Sequence, residues 1–345
     1  MDAVINPYEN INWASCLKIP SLSHAHSRVW QYNEQPKADL QKYMDRAAGA
    51  GIKHTAWSNY HDPEPFYPLE DWFETIPDGV IGSPNAEFGY FLDLGYERMH
   101  VNSLGSFISG NHYGPRTWKD FYPKALKQLQ YPDAGGITIN HPKYSRLTSS
   151  LILPLLKSDK RVLGVEIANS WIIEEGGEIS TDIWDEILIG GQRAWGFCVP
   201  DHGVEYGAKF TGQNILLVPE LTEYNCLKAY RNGSFYGKLF DSDLAFTNVS
   251  YSNNVFSVAA PLADSIRIYI DGEYTETNGQ SASATIPNGA KYCRAEAWIH
   301  DYDWVDKNGT HHIVDERIFS NPIMFVRSLY FSGRNDTEYV QRVAD

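Results

Sequence analysis

Ser21-Leu22-Ser23-His24-Ala25-His26-Ser27 closes an apolar stretch, Trp13–Leu22, that reads as a β-strand. In a strand, side chains two apart face the same way, with Cα atoms roughly 6.6 Å apart. Imidazoles at His24 and His26 could therefore reach one metal ion at about 2.0–2.1 Å. A lone His-x-His decides nothing. Its weight comes from the His, Asp and Glu residues that recur at later strand ends.

Outward from this stretch, strands and helices alternate. Gln35–Ala50 reads as a helix, with Pro36 in its first turn and Leu40, Tyr43, Met44, Ala47 and Ala48 at helical spacing. Ile52–Ser58 is the next strand, running into Asn59-Tyr60-His61-Asp62-Pro63. Arg98–Leu104 carries His100, and Gly136–Asn140 leads to His141-Pro142. Arg161–Ala168 carries Glu166, and Trp195–Val199 ends at Pro200-Asp201-His202-Gly203. Helices are expected over Trp118–Leu129, Thr148–Lys157, Thr181–Arg193 and Thr222–Arg231, with Gln213–Val218 a further strand. This alternation predicts an α/β fold of parallel strands, either barrel or open sheet, with function beyond the carboxyl ends of the strands.

The texture changes near Phe235–Asp241. Asn253–Ala260, Ser265–Ile270 and Lys291–Ile299 alternate apolar and polar residues, and Asp271-Gly272 and Asn288-Gly289 supply turns. A small antiparallel β-sandwich-like domain is expected there. The implied division is 1–238 for the α/β part and 239–345 for the β part with a polar tail.

Composition narrows the function classes. The chain has 345 residues, 43% hydrophobic and 21% charged, which suits an ordinary globular protein of one large domain or two. A net charge of −14 argues against a nucleic-acid partner, which demands a basic face, but leaves room for a small phosphorylated substrate. Cys16, Cys198, Cys226 and Cys293 lie far apart without a Cys-x-x-Cys pair, as expected of free thiols in a reducing compartment. No apolar run is long enough for a membrane span, and Met1–Pro7 lacks the features of a signal peptide, so a cytoplasmic location is expected. Nothing in the sequence specifies an oligomeric state.

The residues at the strand ends form a chemical set. Neutral imidazoles with a few carboxylates suit two or three divalent cations, and one carboxylate must bridge. Glu87 and Asp201 are the natural acids. A water held between such cations, its pKa lowered toward neutrality, would attack a phosphoester or an amide. Other histidines have plainer readings. His54 is mid-strand and reads as a core residue, His112 as a loop residue, and His311-His312 as a solvated turn. Glu166 divides evenly between binding metal or substrate and bonding to nearby backbone.

His24-Ala25-His26-Ser27, Asn140-His141-Pro142, Gly164-Val165-Glu166-Ile167-Ala168-Asn169 and Trp195–His202 resemble, in order, the motifs of the PHP (polymerase and histidinol phosphatase) superfamily. With Glu87 and His100–Gly105 the resemblance covers roughly residues 13–235. It implies a distorted (β/α)7 barrel, a centre of two or three metal ions (manganese, zinc or iron), and phosphoester hydrolysis. By the same resemblance His24, His26, Glu87 and Asp201 would surround one ion. Glu87 would bridge to a second held by His100 and His141, and His61 and His202 would complete that site or a third. Two departures stand out. Ser58-Asn59-Tyr60-His61 replaces the usual Thr-Asp-His, and Asp201 and His202 are adjacent where the family has Asp-x-His.

The leading expectation is thus a metal-dependent phosphoesterase, with Arg116 and Lys143 as candidates to hold phosphate oxygens. Hydrolysis of an amide, lactone or ester, or a barrel reduced to metal or glycan binding, are the alternatives.

Overall fold

The computed structural model describes residues 3–27, 36–59, 75–94, 99–110, 114–170, 173, 179–203, 212–306 and 309–326. The chain opens with β1 (Ala3–Ile5), β2 (Leu17–Leu22), α1 (Pro36–Gly49), β3 (His54–Thr55), β4 (Ile81–Gly82), β5 (Glu87–Phe88) and β6 (Val101–Leu104). There follow α2 (Trp118–Lys127), β7 (Gly136–Ile139), α3 (Ser149–Ser158), β8 (Val162–Asn169), α4 (Thr181–Ile189), β9 (Trp195–Val199), β10 (Gln213–Val218), α5 (Glu223–Asn232) and β11 (Phe235–Lys238). The remainder is all β: β12 (Asn248–Ser252), β13 (Val255–Ala259), β14 (Ser265–Ile270), β15 (Glu273–Asn278), β16 (Ser281–Thr285), β17 (Tyr292–Val305), β18 (His311–Ser320) and β19 (Ile323–Val326).

Local chemistry sets these boundaries. The Thr222 hydroxyl accepts the Asn225 N–H at 3.2 Å to start α5, and Gly233, at φ 74°, ends it in the left-handed region that L-residues avoid. β8 is buried at every residue, as a central parallel strand must be. Asp271-Gly272 turns β14 into β15 with both φ angles positive, the type I′ requirement. Asn253-Asn254 does the same between β12 and β13, where the sequence reading had already begun a strand.

The architecture is mixed α/β, but no closed (β/α)7 barrel forms among the described residues. Strand pairing falls into three sheets, and it is not all parallel. β2, β3 and β4 are parallel, as are β7, β8 and β9, whereas β5, β6 and β7 run antiparallel and β10 is antiparallel to β2. β5 and β6 are antiparallel neighbours, which need no crossover to the far end of the sheet. Two backbone joints link sheet ends. His26 N–H donates to Asp201 O at 3.2 Å and Asp201 N–H to His24 O at 3.0 Å. Beyond β3, Glu87 N–H donates to Ser58 O at 3.0 Å.

The β-rich part is not separated from this frame by the sheet. β11 pairs with both β10 and β18, so one sheet continues from β4 to β1 through the 238/239 point. The three-stranded sheet β12-β13-β16 shares a core with it through Val249, Phe256, Val258, Ile266, Ala295 and Ile318. Arg294, fully buried, reaches Asp185 of α4 at 2.8 and 2.7 Å and Glu296 at 2.6 Å. All four cysteines are unpaired. Among the described residues no helix is long and apolar enough to cross a membrane.

Candidate metal centre

The end of β2 delivers His24 and His26, the start of β5 delivers Glu87, and the turn after β9 delivers Asp201 and His202. His100 immediately precedes β6 and His141 follows β7. His24, His26, Glu87 and Asp201 are all buried. β9 stops at Val199, and Asp201 takes φ 51°. Leaving the strand there resolves the sequence problem of adjacent Asp201 and His202, because their side chains no longer oppose one another. His202 lies with its ring stacked on His26 at 4.2 Å and its Nε2 3.8 Å from Asp201 Oδ1.

The separations suit a cation. His24 Nε2 and His26 Nε2 are 3.2 Å apart, and they lie 3.2 and 3.3 Å from Asp201 Oδ1. Glu87 Oε1 is 3.5 Å from His24 Nε2, and its Oε2 is 3.2 Å from His26 Nε2. Donors about 2.1 Å from one common ion stand about 3.0–3.5 Å from each other in octahedral or tetrahedral geometry. On the other side, Glu87 Oε1 is 3.0 Å from His100 Nδ1 and 3.5 Å from His141 Nε2. Three groups thus converge: His24–His26–Glu87, Glu87–His100–His141 and His26–Asp201–His202. Asp201 Oδ1 is buried and receives no hydrogen bond, despite two imidazole nitrogens close by. A buried carboxylate oxygen left this way is costly unless a positive centre faces it. The residues present fit divalent cations.

Around these groups lies a supporting shell. Glu166 Oε1 takes the Nδ1–H of His24 at 2.6 Å, and its Oε2 accepts from the His141 backbone N–H at 2.9 Å and Asn169 Nδ2 at 3.2 Å. Asn169 Nδ2 also donates to Asp201 Oδ2 at 2.9 Å, and Asn140 Nδ2 to Glu87 Oε1 at 2.8 Å. Ser145 Oγ bonds to His141 Nδ1 at 2.9 Å. The sequence reading left the role of Glu166 open and assigned none to Asn140, Asn169 or Ser145. The available signal was a polar residue ending an otherwise apolar strand. Asn59, at the position of the expected aspartate, donates to Ser27 Oγ at 2.7 Å and accepts from Ser27 N–H at 2.9 Å. It ties Ser27 to the chain beyond β3.

Burial opposes charge at His24, His26, His141, Glu87 and Asp201, but their proximity overrides it. His24 is depressed by desolvation yet raised well above its ordinary value by Asp201, Glu166 and Glu87. His26 is likewise lifted to about 9 through Asp201 and Glu87, and His141 is raised by Glu87, Glu166 and Asp201. Desolvation would raise Glu87 and Asp201, but His100 and His24 hold the first, and His24 and His26 the second, well below the carboxylate range. The imidazoles and carboxylates thus stabilise one another's charged forms.

The remaining predicted residues fall elsewhere. His61 and His112 lie outside the described residues. Arg116 lays its guanidinium over the rings of Phe88, Phe121 and Phe91 at 5.1, 5.6 and 6.0 Å and donates to Gly89 O at 3.1 Å; burial lowers its pKa to about 10. Lys143 pairs with Asp182 at 3.1 Å. His54 is a core residue held between Ser21 Oγ at 2.7 Å and Ser83 Oγ at 2.9 Å.

No protein-family model matches the sequence, and no curated protein matches it. Among solved structures, the chain is similar to a two-domain protein containing a predicted PHP-like metal-dependent phosphoesterase from Bacteroides vulgatus ATCC 8482. The identity is 10% and the TM-score 0.43, over 88% of this chain and 96% of that one.

Proposed function

We propose that this chain is a divalent-metal-dependent hydrolase acting on a small phosphomonoester or phosphodiester. One observation carries the reading: buried Glu87 stands between two groups of imidazoles, near enough to both to bridge them. His24, His26, Glu87 and Asp201 would hold one ion, and Glu87, His100 and His141 a second. His202, with His26 and Asp201, would complete the first or hold a third. Manganese, zinc or iron would suit this nitrogen–oxygen donor set. Bound cations would polarise the ester and acidify water toward neutrality. The chain itself fixes the geometry: Asn140 orients Glu87, Asn169 orients Asp201, and burial excludes bulk water from both.

The strand-end joints through Asp201 and Glu87 support reading the α/β part as a distorted PHP-type (β/α)7 barrel. In that reading the barrel spans 1–238 and the β domain 239–345.

The test is phosphate release from a panel of phosphoesters by protein loaded with manganese, zinc or iron. Activity and bound metal should be lost together in His24→Ala and Asp201→Asn. A fully loaded protein that turns over none of the panel overturns the phosphoesterase reading. The engagement of Arg116 by ring faces and of Lys143 by Asp182 favours a second reading, hydrolysis of an amide, lactone or carboxylic ester. Competitive inhibition by inorganic phosphate separates the two, supporting the first.

A further inference from the structure

We infer that Glu166 is a positioning residue that makes the two cation positions depend on each other. The inference rests on the metal-centre reading but assigns a role to a side chain that belongs to neither group of ligands.

A carboxylate only accepts hydrogen bonds. Glu166 Oε1 at 2.6 Å from His24 Nδ1 therefore keeps a proton on Nδ1, so that Nε2, the nitrogen facing His26, Glu87 and Asp201, is the one that would give up its proton to a cation. The other oxygen does different work. Oε2 accepts the backbone N–H of His141, whose φ of 29° lies in the left-handed region that non-glycine residues avoid. It also accepts from Asn169 Nδ2, whose second N–H goes to Asp201 Oδ2, and Asp201 too is left-handed at φ 51°. One buried carboxylate thus sets the tautomer of a ligand in the first group and the backbone of a ligand in the second. Through Asn169 it also steadies a third ligand. Residues in strained backbone conformations persist only when their surroundings hold them, and here Glu166 Oε2 holds the His141 backbone directly and reaches the Asp201 side chain through Asn169.

Glutamine at 166 preserves volume but offers one acceptor and one donor. With its oxygen toward His24, its NH2 opposes the His141 N–H and the Asn169 NH2. With its NH2 toward His24, that ring must place its proton on Nε2 and loses its ligating lone pair. Neither orientation satisfies both groups.

The experiment titrates metal-free full-length protein with Co2+ or Mn2+ against a chromophoric chelator, and follows the Co2+ absorption bands. In Glu166→Gln both binding steps should weaken about 10–100-fold, with altered Co2+ bands. Ser145→Ala, which removes the hydroxyl bonded to His141 Nδ1, should weaken one step alone. The metal-free melting midpoint of each variant serves as control. A step that keeps wild-type affinity in Glu166→Gln overturns the inference. So does a loss of both steps that is equal in Ser145→Ala, or one that merely follows a lowered metal-free midpoint. Wild-type protein that takes up no cation overturns the proposed function as well. Normal uptake with an unaffected Glu166→Gln variant overturns this inference alone.

Discussion

Among the described residues, histidine lies beside acid in two regions, with opposite consequences. At the strand ends, His24 meets Glu166, Glu87 and Asp201 inside the protein. On the β17–β18 hairpin, His311 meets Asp303 at 2.9 Å and His312 meets Asp306 at 3.0 Å, with His311 68% exposed. The separations are alike, so distance alone does not make a centre. His311 and Asp303 are both open to solvent, where an ion pair contributes little. The buried histidines face several acids at once in a medium that screens poorly, so removing one partner leaves the others uncompensated.

Removing an acid from the buried set should therefore have the largest effect measurable in this protein. Glu87→Gln and Asp201→Asn are each expected to lower turnover on the order of 10³-fold, about 4 kcal/mol of barrier, with loss of bound metal. Steady-state rates and metal analysis check this. Either variant retaining both wild-type activity and full metal would erase the distinction between the two regions.

The next effect is on stability. Each cation position filled at a hundred times its dissociation constant should stabilise the fold by about 3 kcal/mol, and chelation should remove that increment. Denaturant unfolding with and without chelator measures it. His24→Ala should show a smaller difference, because it removes a ligand of the first position and leaves Glu87, His100 and His141 in place.

Most of the buried set was legible in the sequence because strand ends are marked by local chemistry. His-x-His after an apolar run, Asn-His-Pro and Pro-Asp-His-Gly each announce where a strand stops, and the structure brings those stops together. The closure of the fold was less legible. Alternation of strands and helices suggests parallel pairing throughout, but pairing direction depends on how the chain returns, which no local pattern encodes. β5, β6 and β10 are where that expectation departs from the structure. Arg116 illustrates a second limit. Its sequence position near the motifs said nothing of the three aromatic rings that receive it. Glu166 illustrates a third, since a carboxylate on a strand reads alike whether it binds a metal or orients the residue that does.

His54 provides an intermediate case, buried like the centre but without an acid. It bonds to Ser21 and Ser83, and Tyr230 packs nearby at 6.1 Å between ring centres with its hydroxyl on Ser21 Oγ. Desolvation lowers its pKa to about 3. The unfolded chain binds this proton below about 6.5 and the folded one does not, so the stability His54 confers is complete above that value. It is lost as pH falls from about 6.5 toward 3, amounting to about 2 kcal/mol at pH 5. The difference in unfolding free energy between pH 8 and pH 5, measured with chelator present, should shrink by this amount in His54→Gln. Equal differences in the two proteins would mean that His54 is protonated in the fold and that burial alone does not separate the regions.

The smallest effect is expected at the hairpin. Strand register sets His311 opposite Val305 and His312 opposite Trp304, so each imidazole reaches one acid of the neighbouring strand or its turn. His312 also lies against the Trp304 ring at 5.3 Å. Nothing there gathers a second imidazole and a second acid onto one point, so His311→Ala should change stability by less than about 0.5 kcal/mol and leave metal content and turnover untouched. His312→Ala should cost somewhat more through its ring contact, with the same insensitivity of metal content. Denaturant titration at low and high salt separates the contributions: a pair screened by solvent weakens as salt rises, whereas ring packing does not. A hairpin substitution that stripped metal from the protein would mean that exposed pairs take part in the centre, and the contrast between the two regions would fail at its weaker end.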